Sequence, residues 1–311
     1  MEDNRWGVIY CPKRGVWRTH RKWEKIQHLL DERGVQYDFV QCEHRGSVRR
    51  LATMLLKNGY KRLVVVGGDT ALCQVVNGLM SLPAEQTKDV TVGLIPNGEA
   101  NDYARFWDIP TDDVEACVDM LLRGRVHKVD LGVIKAILKG EDHEEMTRYF
   151  MNCVNIGLVS HILHLRHQLF SFLGLFLLTH ITTFVLLIFH RMESVMSYTI
   201  NHEHLRRSVM TLCIGNCRGY GQTPNAVPYN GMLDVSVVSQ PEVLKFVSGM
   251  WMLLSGRFLN NKSVTPYRTR ATVKVEDLGG ARVSTDGHAW KHPVERLEVS
   301  VLQERVNLII P

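Results

Sequence analysis

The sequence lacks a strong excess of charge of either sign. Its 37 lysine and arginine residues stand against 32 aspartate and glutamate residues, which gives a formal net charge of +5 over 311 residues. This excess is too weak to predict nucleic-acid binding, although it suits an anionic membrane surface. The sequence also has no internal repeat and no low-complexity segment, so a repeat architecture or a disordered linker is not expected.

Cysteine is scarce and irregularly spaced, which argues against a disulfide framework. The seven cysteines are Cys11, Cys42, Cys73, Cys117, Cys153, Cys213 and Cys217. The spacing of Cys213 and Cys217 is one that zinc could use, but His202 and His204 are too close together for the usual second pair. We therefore expect reduced thiols in a cytoplasmic protein. The N-terminal residues have no signal-peptide form, which agrees with this expectation.

The length and the apolar content of 45% predict two domains, at residues 1–126 and 127–311. The first is predicted to contain four strand–loop–helix units and therefore a parallel sheet with right-handed crossovers and helices on both faces. Its predicted strands are Trp6–Cys11, Val35–Cys42, a strand from Arg62 to the Gly67-Gly68 pair, and Val90–Ile95. A helix at Asp112–Arg123 is expected to close this domain.

The second half is predicted to consist of strands without regular helical crossovers, which is typical of an antiparallel sandwich. The longer predicted strands are Lys128–Leu138, Arg148–Gly157, Ser194–His202, Leu205–Gly215, Met232–Ser239 and Arg270–Glu276. Three short strands are expected near Ala281–Thr285, Leu297–Leu302 and Val306–Ile310.

Two loops follow neighbouring strands of the first domain and carry the residues best suited to bind a ligand. The first contains Gly67, Gly68 and Asp69, and the second runs from Pro96 to Arg105. Glycines let a ligand approach the backbone closely. Ligands of open α/β sheets bind at the carboxyl ends of strands, often against helix N-termini. The two loops therefore predict a site for nucleotide phosphates, with or without a metal ion.

These motifs resemble the diacylglycerol kinase family, which includes bacterial lipid kinases and sphingosine kinases. The family's marks are a Gly-Gly-Asp-Gly-Thr loop, a Gly-Thr-x-Asn-Asp-x-Ala-Arg segment and a late Asp-Gly-Glu. The corresponding stretches here are Gly67-Gly68-Asp69-Thr70-Ala71, Gly98-Glu99-Ala100-Asn101-Asp102-Tyr103-Ala104-Arg105 and Asp286-Gly287-His288. Their order and spacing match the family over nearly the whole chain. The resemblance implies a Rossmann-like α/β nucleotide-binding domain, a β-sandwich lipid-substrate domain and an active site in the cleft between them.

The resemblance also implies an activity, cofactors and site residues. The expected activity is that of an ATP-dependent lipid kinase, which transfers the γ-phosphoryl group to a hydroxyl of diacylglycerol, a sphingoid base or ceramide. The expected cofactors are ATP and Mg²⁺, with Asp69 and Asp130 at the metal ion and Asp69, Asp286 and His288 as catalytic residues. The positions expected at the nucleotide are Pro12, Gly15, Gly67, Gly68, Thr70, Asn97, Gly98, Glu99, Asn101 and Asp102.

Expected partners are a lipid substrate and the inner face of the membrane, to which the protein would be peripheral; nucleic acid is not expected, and a homodimer is left open. The apolar run Leu169–Phe189 approaches the length of a transmembrane span. Gly174, the polar residues at 179–183 and a position between strands of one domain argue against a span. We expect instead a helical insertion at about 160–191, which lines an acyl-chain pocket, rests on the membrane or forms only core.

The sequence departs from the family at several expected contacts. The departing residues are Cys11 and Arg14 in the Cys11–Gly15 segment, Cys42, Ala71, Glu99, and His288 in place of the family's glutamate. Histidine is a competent proton acceptor at neutral pH, so His288 is compatible with catalysis. The departures leave open a catalytically silent relative that binds nucleotide or lipid as a regulator. The NAD kinase branch shares the Gly-Gly-Asp loop, but the apolar insertion and the Asn-Asp-x-Ala-Arg segment argue against it.

Overall fold

The computed structural model describes residues 5–12, 18–43, 46–140, 143–164, 193–218, 221–239, 252 and 257–311. The first half of the described chain alternates strands with helices. Its elements in chain order are β1 (Trp6–Tyr10), α1 (Arg18–Glu32), β2 (Tyr37–Gln41), α2 (Ser47–Lys57), β3 (Arg62–Gly67), α3 (Asp69–Leu79), α4 (Ala84–Thr87), β4 (Thr91–Pro96), α5 (Asp102–Phe106) and α6 (Val114–Arg123).

The second half consists mostly of strands. They are β5 (Val126–Leu138), β6 (Glu145–Phe150), β7 (Cys153–Gly157), β8 (Ser194–Ile200), β9 (Glu203–Val209), β10 (Thr211–Gly215), β11 (Leu233–Val238), β12 (Val264–Thr269), β13 (Val273–Asp277), β14 (Val283–Thr285), β15 (His288–Ala289) and β16 (Val294–Ile309). A short 3₁₀ helix, Phe258–Asn260, precedes β12. Residues 158–164 are helical and follow β7 directly.

Among the described residues, ten strands form one mixed sheet that spans both halves of the chain. Its main path is β2-β1-β3-β4-β16-β13-β8-β9, and β5 pairs with both β16 and β6. The strands β2, β1, β3 and β4 run parallel. The end of β16 joins them in parallel, with Asn307 opposite Thr91 and Leu308 opposite Val92. The predicted α/β class is confirmed, and the last strand of the second half completes the parallel set.

The remaining strands of the described chain form a second sheet in the order β12-β11-β10-β7-β14-β15, antiparallel throughout. Buried side chains of both sheets share one core, including Ile134 and Phe150 from the first sheet and Ile156 and Ile214 from the second. Each fully buried side chain of this kind contributes roughly 1.5 to 3 kcal/mol. The predicted antiparallel sandwich is therefore confirmed.

The helices of the first half cover the parallel strands. Helix α1 packs against α6, and α2 packs against α3. In β3 four consecutive apolar residues, Leu63–Val66, are all buried. This continuous burial is expected of a parallel strand that is covered on both faces.

Two predicted strands proved to be wrong as single units, because the chain changes sheets within each of them. Arg148–Gly157 divides into β6 and β7 at a corner formed by Met151 and Asn152, and Leu205–Gly215 divides into β9 and β10 at Met210. A run of apolar, β-prone residues shows that the chain is extended, but it does not show which sheet each part joins.

Two other predictions differ from the structure. The predicted strands Leu297–Leu302 and Val306–Ile310 are one strand, β16, with a register shift between Leu302 and Val306 where Glu304 has a φ of 48°. Strand β12 was not predicted. The domain boundary at residue 126 stays a prediction. Most of the predicted insertion at about 160–191, including Leu169–Phe189, lies outside the described residues. None of the described helices is long and apolar enough to cross a membrane.

Candidate active site

Three parallel strands end at one edge of the first sheet and are fixed to one another by backbone hydrogen bonds. Just beyond β1, the Cys11 N–H donates to the Val66 carbonyl of β3 at 2.9 Å. Just beyond β4, the Asn97 N–H donates to the Gly67 carbonyl at 2.7 Å. The two glycine-containing loops therefore start from fixed positions at the carboxyl ends of the strands, where α/β sheets bind ligands.

Gly68 and Gly98 bring these loops into direct backbone contact. A Cβ on Gly68 would lie 2.7 Å from the Cα of Gly98, and a Cβ on Gly98 would lie 2.6 Å from the Cα of Gly68. A Cβ on Gly67 would lie 2.6 Å from the Cβ of Ala71. Only glycine fits these positions without displacing the backbone. The two loops therefore pack backbone against backbone, and we call these touching loops the cradle. Backbone N–H groups at such strand-to-helix turns are suited to approach a phosphate.

Asn101 holds the second loop in shape. Its side-chain Oδ1 accepts the Gly98 N–H at 2.8 Å, and its Nδ2 donates to the Gly98 carbonyl at 3.2 Å. The residue is buried and has a φ of 52°, a left-handed conformation that asparagine tolerates better than most residues. Asn101 is therefore a positioning residue for the glycine that precedes it.

Asp69 connects the two loops. One carboxyl oxygen accepts the Asp102 N–H and the other accepts the Tyr103 N–H, each at 3.0 Å. These are N–H groups of the first turn of α5, which need acceptors outside the helix. Asp69 is only half-buried. A carboxylate oxygen has two lone pairs, so each Asp69 oxygen retains one after accepting its N–H.

Asp286 occupies a very different environment, in the turn between β14 and β15. Its side chain is 1% exposed. One oxygen accepts the Met151 N–H at 2.7 Å, and the other accepts the N–H groups of Asn152 and Cys153 at 3.0 and 2.9 Å. Asp286 thus holds the corner at which the chain passes from β6 to β7. Burial raises the pKa of its carboxyl to about 6; the three N–H groups oppose this shift, and the charge of Asp69 adds to it.

The hairpin that carries Asp286 and His288 is attached directly to the first loop. The Thr70 hydroxyl, at the start of α3, donates to the Asp286 carbonyl oxygen at 2.7 Å. His288 follows Gly287, pairs with Thr285 across the hairpin and is partly exposed. The structure therefore brings the Gly-Gly-Asp loop and the Asp-Gly-His turn together, as the resemblance implied.

Asp130 is buried in β5, away from solvent. Its oxygens accept the N–H groups of Gly231 at 2.7 Å and Glu304 at 2.9 Å. Its own N–H donates to the Pro228 carbonyl at 2.7 Å. These bonds fasten the 228–231 loop and the bend in β16 to β5. The geometry favours a structural role, and a role at the metal ion stays a prediction.

The other predicted nucleotide residues are only partly described. Pro12 ends the first described segment, and Gly15 and Arg14 lie outside the described residues. Asn97 lies at the cradle, and its Nδ2 donates to the Cys11 carbonyl at 3.4 Å. Glu99 is exposed at the tip of the second loop, and Asp102 is half-buried at the start of α5. Their roles toward a nucleotide stay predictions.

Lys22 belongs to this edge of the sheet, although the sequence analysis did not select it. Its Nζ donates to the Pro96 carbonyl, at the end of β4, at 2.6 Å. The basic character of α1 was visible in the sequence, but only the packing of α1 shows which of its cations reaches the loops. Lys22 places a positive charge directly before the second loop.

Asn77 was also missed, and it fixes α3 to the second half of the chain. Its Nδ2 donates to the Tyr149 carbonyl at 2.8 Å, and its Oδ1 accepts the Tyr149 N–H at 3.1 Å. This side-chain amide pairs with the outer edge of β6 as a strand would. Since Asp69 begins the same helix, Asn77 helps to position it relative to the Asp286 hairpin.

Among the described residues, no group of three or more His, Cys, Asp or Glu side chains is placed to hold a metal ion. A metal ion that binds together with a nucleotide needs fewer protein ligands, because Mg²⁺ retains waters and uses phosphate oxygens with one or two carboxylates.

Comparison with models of known protein families shows to which family the chain is related. Residues 5–134 match the diacylglycerol kinase catalytic domain, and residues 179–308 match the YegS C-terminal NAD kinase beta sandwich-like domain. The chain belongs to the diacylglycerol kinase-like family. The two matches follow the order of the α/β half and the sandwich half.

Individual relatives of this family agree with the assignment. The chain is 29% identical over 155 residues to a diacylglycerol kinase of Staphylococcus carnosus and 28% identical over 155 residues to one of Staphylococcus saprophyticus. Each alignment covers 50% of this chain and 45% or 46% of the relative, so the chain spans about half the length of the curated relatives it matches.

Solved structures show the shared fold over the whole chain. A protein of Bacillus anthracis str. Sterne superposes with a TM-score of 0.73 at 19% identity, covering 100% of this chain and 99% of that chain. A diacylglycerol kinase of the same strain gives a TM-score of 0.68 at 17% identity, covering 99% and 97%. The diacylglycerol kinase-like fold therefore includes both halves.

Proposed function

We propose that the protein is an ATP-dependent lipid kinase that transfers the γ-phosphoryl group of ATP to a lipid hydroxyl. One observation carries the proposal: the half-buried Asp69 links two loops whose glycines bring their backbones into contact at the carboxyl edge of a parallel sheet. Membership of the diacylglycerol kinase-like family and the names of the relatives support a phosphotransferase that acts on lipids.

The residues at the cradle fit a nucleotide with a divalent metal ion. Bound Mg²⁺ would supply charge neutralisation and hold the phosphates in position. Asp69 would hold it with the lone pairs that remain on its oxygens, and the backbone at Gly67, Gly68 and Gly98 would face the phosphates. Lys22 adds a positive charge at the end of β4. Glu99 is exposed, and the charge of an exposed carboxylate acts on phosphate through the high dielectric of water, which limits its repulsion.

On the acceptor side we propose different roles for the two residues of the hairpin. His288 is partly exposed and takes the proton of the lipid hydroxyl. Asp286 is a positioning residue, because its buried carboxylate accepts the backbone N–H groups of residues 151–153. The buried carboxylate fixes the turn, and the turn presents His288.

A test of the acceptor role is to replace His288. His288→Ala should lower the turnover number roughly 10²- to 10⁴-fold, the usual contribution of a positioned acid or base. His288→Glu, which restores the residue found in the family, should retain activity. His292→Ala changes an exposed histidine of the same region and serves as the matched control. Parental turnover in His288→Ala at every pH would remove His288 from the proton transfer.

The chemical class of the phosphoryl acceptor can be determined with a panel of candidate acceptors. Purified protein would be incubated with γ-labelled ATP and Mg²⁺ and with mixed micelles of diacylglycerol, sphingosine or ceramide, together with NAD as a soluble acceptor. We expect label in one lipid class, dependent on Mg²⁺. Label in NAD alone would favour the NAD kinase branch. Nucleotide binding without transfer to any acceptor would favour the silent relative.

We also propose that the protein is cytoplasmic and works as a peripheral protein at the inner face of the membrane, where its acceptor resides. Vesicle binding should combine apolar contact with attraction of basic residues to anionic lipids, which contribute only about 1 kcal/mol each. Sedimentation with anionic vesicles should therefore weaken in high salt without being abolished. Complete release by salt alone would show that apolar contact makes no contribution.

A further inference from the structure

Two thiols lie side by side at the edge of the sheet that carries the candidate active site. Cys11 follows β1 and Cys42 follows β2, and the last paired residues of these parallel strands are Tyr10 and Gln41. The Cys42 N–H donates to the Tyr10 carbonyl at 2.9 Å, so the strand register extends to the two cysteines. Neighbouring strands are separated by about 4.8 Å. This separation lies within the Cα–Cα range of about 4.4 to 6.8 Å that a disulfide spans.

The two thiols also interact with each other. A hydrogen bond between the side chains lowers the pKa of Cys42 and, with burial, raises the pKa of Cys11. The two sulfurs are therefore within reach of each other, in agreement with the strand register.

Accessibility separates this pair from the other thiols of the chain. Cys11 is partly exposed, whereas Cys42, at 8% exposed, and the other five cysteines are buried. Cys153 and Cys213 also interact with each other, but both have no exposed surface and lie in central strands of the second sheet. An oxidant in solution can reach the Cys11–Cys42 pair through Cys11, whereas the inner pair is closed to it.

We propose that Cys11 and Cys42 form a redox modification site, which a hydroperoxide converts to a disulfide. In the first step one of the two sulfurs attacks the peroxide, its sulfenic acid forms and one water leaves. In the second step the other sulfur attacks the sulfenic sulfur, the S–S bond forms and a second water leaves. Overall, two thiols and one hydrogen peroxide give one disulfide and two waters. Reduction by a dithiol reverses the reaction.

The position of Cys11 gives the disulfide a consequence for the loops. The Cβ of Cys11 lies 3.6 Å from the place that a Cβ of Gly67 would occupy, and its carbonyl accepts from Asn97 Nδ2 at 3.4 Å. A bond to Cys42 should draw the Cys11 side chain toward β2, away from the Gly67 side, and a shift of the Cys11 backbone that follows it would move the carbonyl that accepts from Asn97. This consequence rests on the proposed function: displacement of the loops should weaken binding of the nucleotide.

Mass spectrometry tests the bond itself. The purified full chain, treated with hydrogen peroxide in small excess, should become lighter by two hydrogen atoms. A non-reducing peptide map should join the peptides that contain Cys11 and Cys42, and dithiothreitol should restore the original mass. Cys42→Ser and Cys42→Ala should each abolish the linkage, and Cys117→Ser should leave it intact. Circular dichroism would verify that each variant is folded.

The linkage map alone can overturn the inference, even if a variant does not fold. Addition of oxygen to Cys11 or Cys42 without cross-linking, or a link between two molecules, would show that the pair does not close. A link that appears only in denatured protein would show that the folded register does not permit it.

Kinetics then test the consequence separately. In the reduced parent, ATP titration gives a KM that should rise roughly 10- to 100-fold on oxidation, the scale expected when loops are displaced by about an ångström. Dithiothreitol should restore it, and oxidised Cys42→Ser should be unaffected. An active enzyme that forms the disulfide without any change in KM or turnover would disprove the coupling. A reduced parent without kinase activity but with the disulfide would disprove the proposed function and leave the modification site standing.

Discussion

Asp69 and Asp286 are two carboxylates of segments joined by the Thr70 hydrogen bond, and each uses both oxygens to accept backbone N–H groups of another segment. They differ in burial and in the number of donors. Asp69 is half-buried and accepts two N–H groups from the start of α5. Asp286 is almost fully buried and accepts three from the corner between β6 and β7.

This difference favours a different role for each residue, although the sequence motifs alone predict that both aspartates are catalytic. A carboxylate that retains lone pairs facing solvent can bind a cation as well as stabilise a helix end. A carboxylate that accepts three backbone N–H groups and is removed from water is suited to maintain the fold around it. Asp69 should therefore be dispensable for stability and essential for catalysis, and Asp286 should show a large effect on stability.

The largest expected effect is on turnover. Asp69→Asn removes one negative charge at the proposed metal position and should lower the turnover number by roughly 10³-fold. Because one acceptor oxygen remains, the unfolding free energy should change by less than about 1 kcal/mol. Steady-state kinetics and urea unfolding measure the two quantities. Asp89→Asn alters an exposed aspartate and should leave both unchanged. Parental turnover in Asp69→Asn would remove the contrast between the two carboxylates.

The next effect concerns stability. Asp286→Ala leaves three buried N–H groups without an acceptor, and each unsatisfied group costs about 1 to 3 kcal/mol before water or local movement compensates. We expect a loss of roughly 3 to 5 kcal/mol of unfolding free energy, measured by urea denaturation. Asp277→Ala removes an exposed carboxylate that accepts one N–H, from Gly279 at 2.9 Å, and should cost less than about 1 kcal/mol. Equal losses in the two variants would contradict the role assigned to Asp286.

The smallest of the three effects is a pH dependence of the unfolding free energy, which we expect from the buried Asp286 and not from Asp69. Folding raises the pKa of Asp286 from 3.8 to about 6, mainly through burial. The stabilisation from its protonated form is therefore present below pH 3.8 and is lost as the pH rises through about 6. At about 1.36 kcal/mol for each pKa unit, the total approaches about 3 kcal/mol.

The pH dependence is measured as the difference in unfolding free energy between the parent and a variant. Urea unfolding from about pH 4 to about pH 7 would compare the parent with Asp286→Asn, which cannot titrate at this position. The parent should lose stability relative to the variant as the pH rises. A constant difference over this range would mean that the three N–H groups offset the cost of burying the charge.

The sequence was sufficient to locate the parts of the site that are local in the chain. Gly67, Gly68 and Asp69 follow a strand whose apolar run is unmistakable, and the spacing of Gly98 to Asp102 fixes the second loop. Each of these features depends on residues within one strand–loop–helix unit. The sandwich was predictable as a class for the same reason, because successive short strands have a local signature.

The parts that could not be predicted depend on contacts between distant residues. The corner at Met151 and Asn152 is held by a carboxylate more than 130 positions later. Lys22 meets the second loop only because α1 packs beside the end of β4, 74 residues away in sequence. The single strand β16 replaces two predicted ones because β5 pairs along most of its length, across the bend at Glu304.

The parallel pairing of β16 with β4 has a consequence for synthesis of the chain on the ribosome. When the α/β half emerges, β4 has a partner on one side only, and its other edge must wait for Asn307 and Leu308, more than 200 residues later. Closing so long a loop is slow, and an unpaired strand edge is a template for association with another nascent chain. The α/β half is thus made first but is among the last parts to be finished, and until then its β4 edge stays open to a chaperone or a misfolded neighbour.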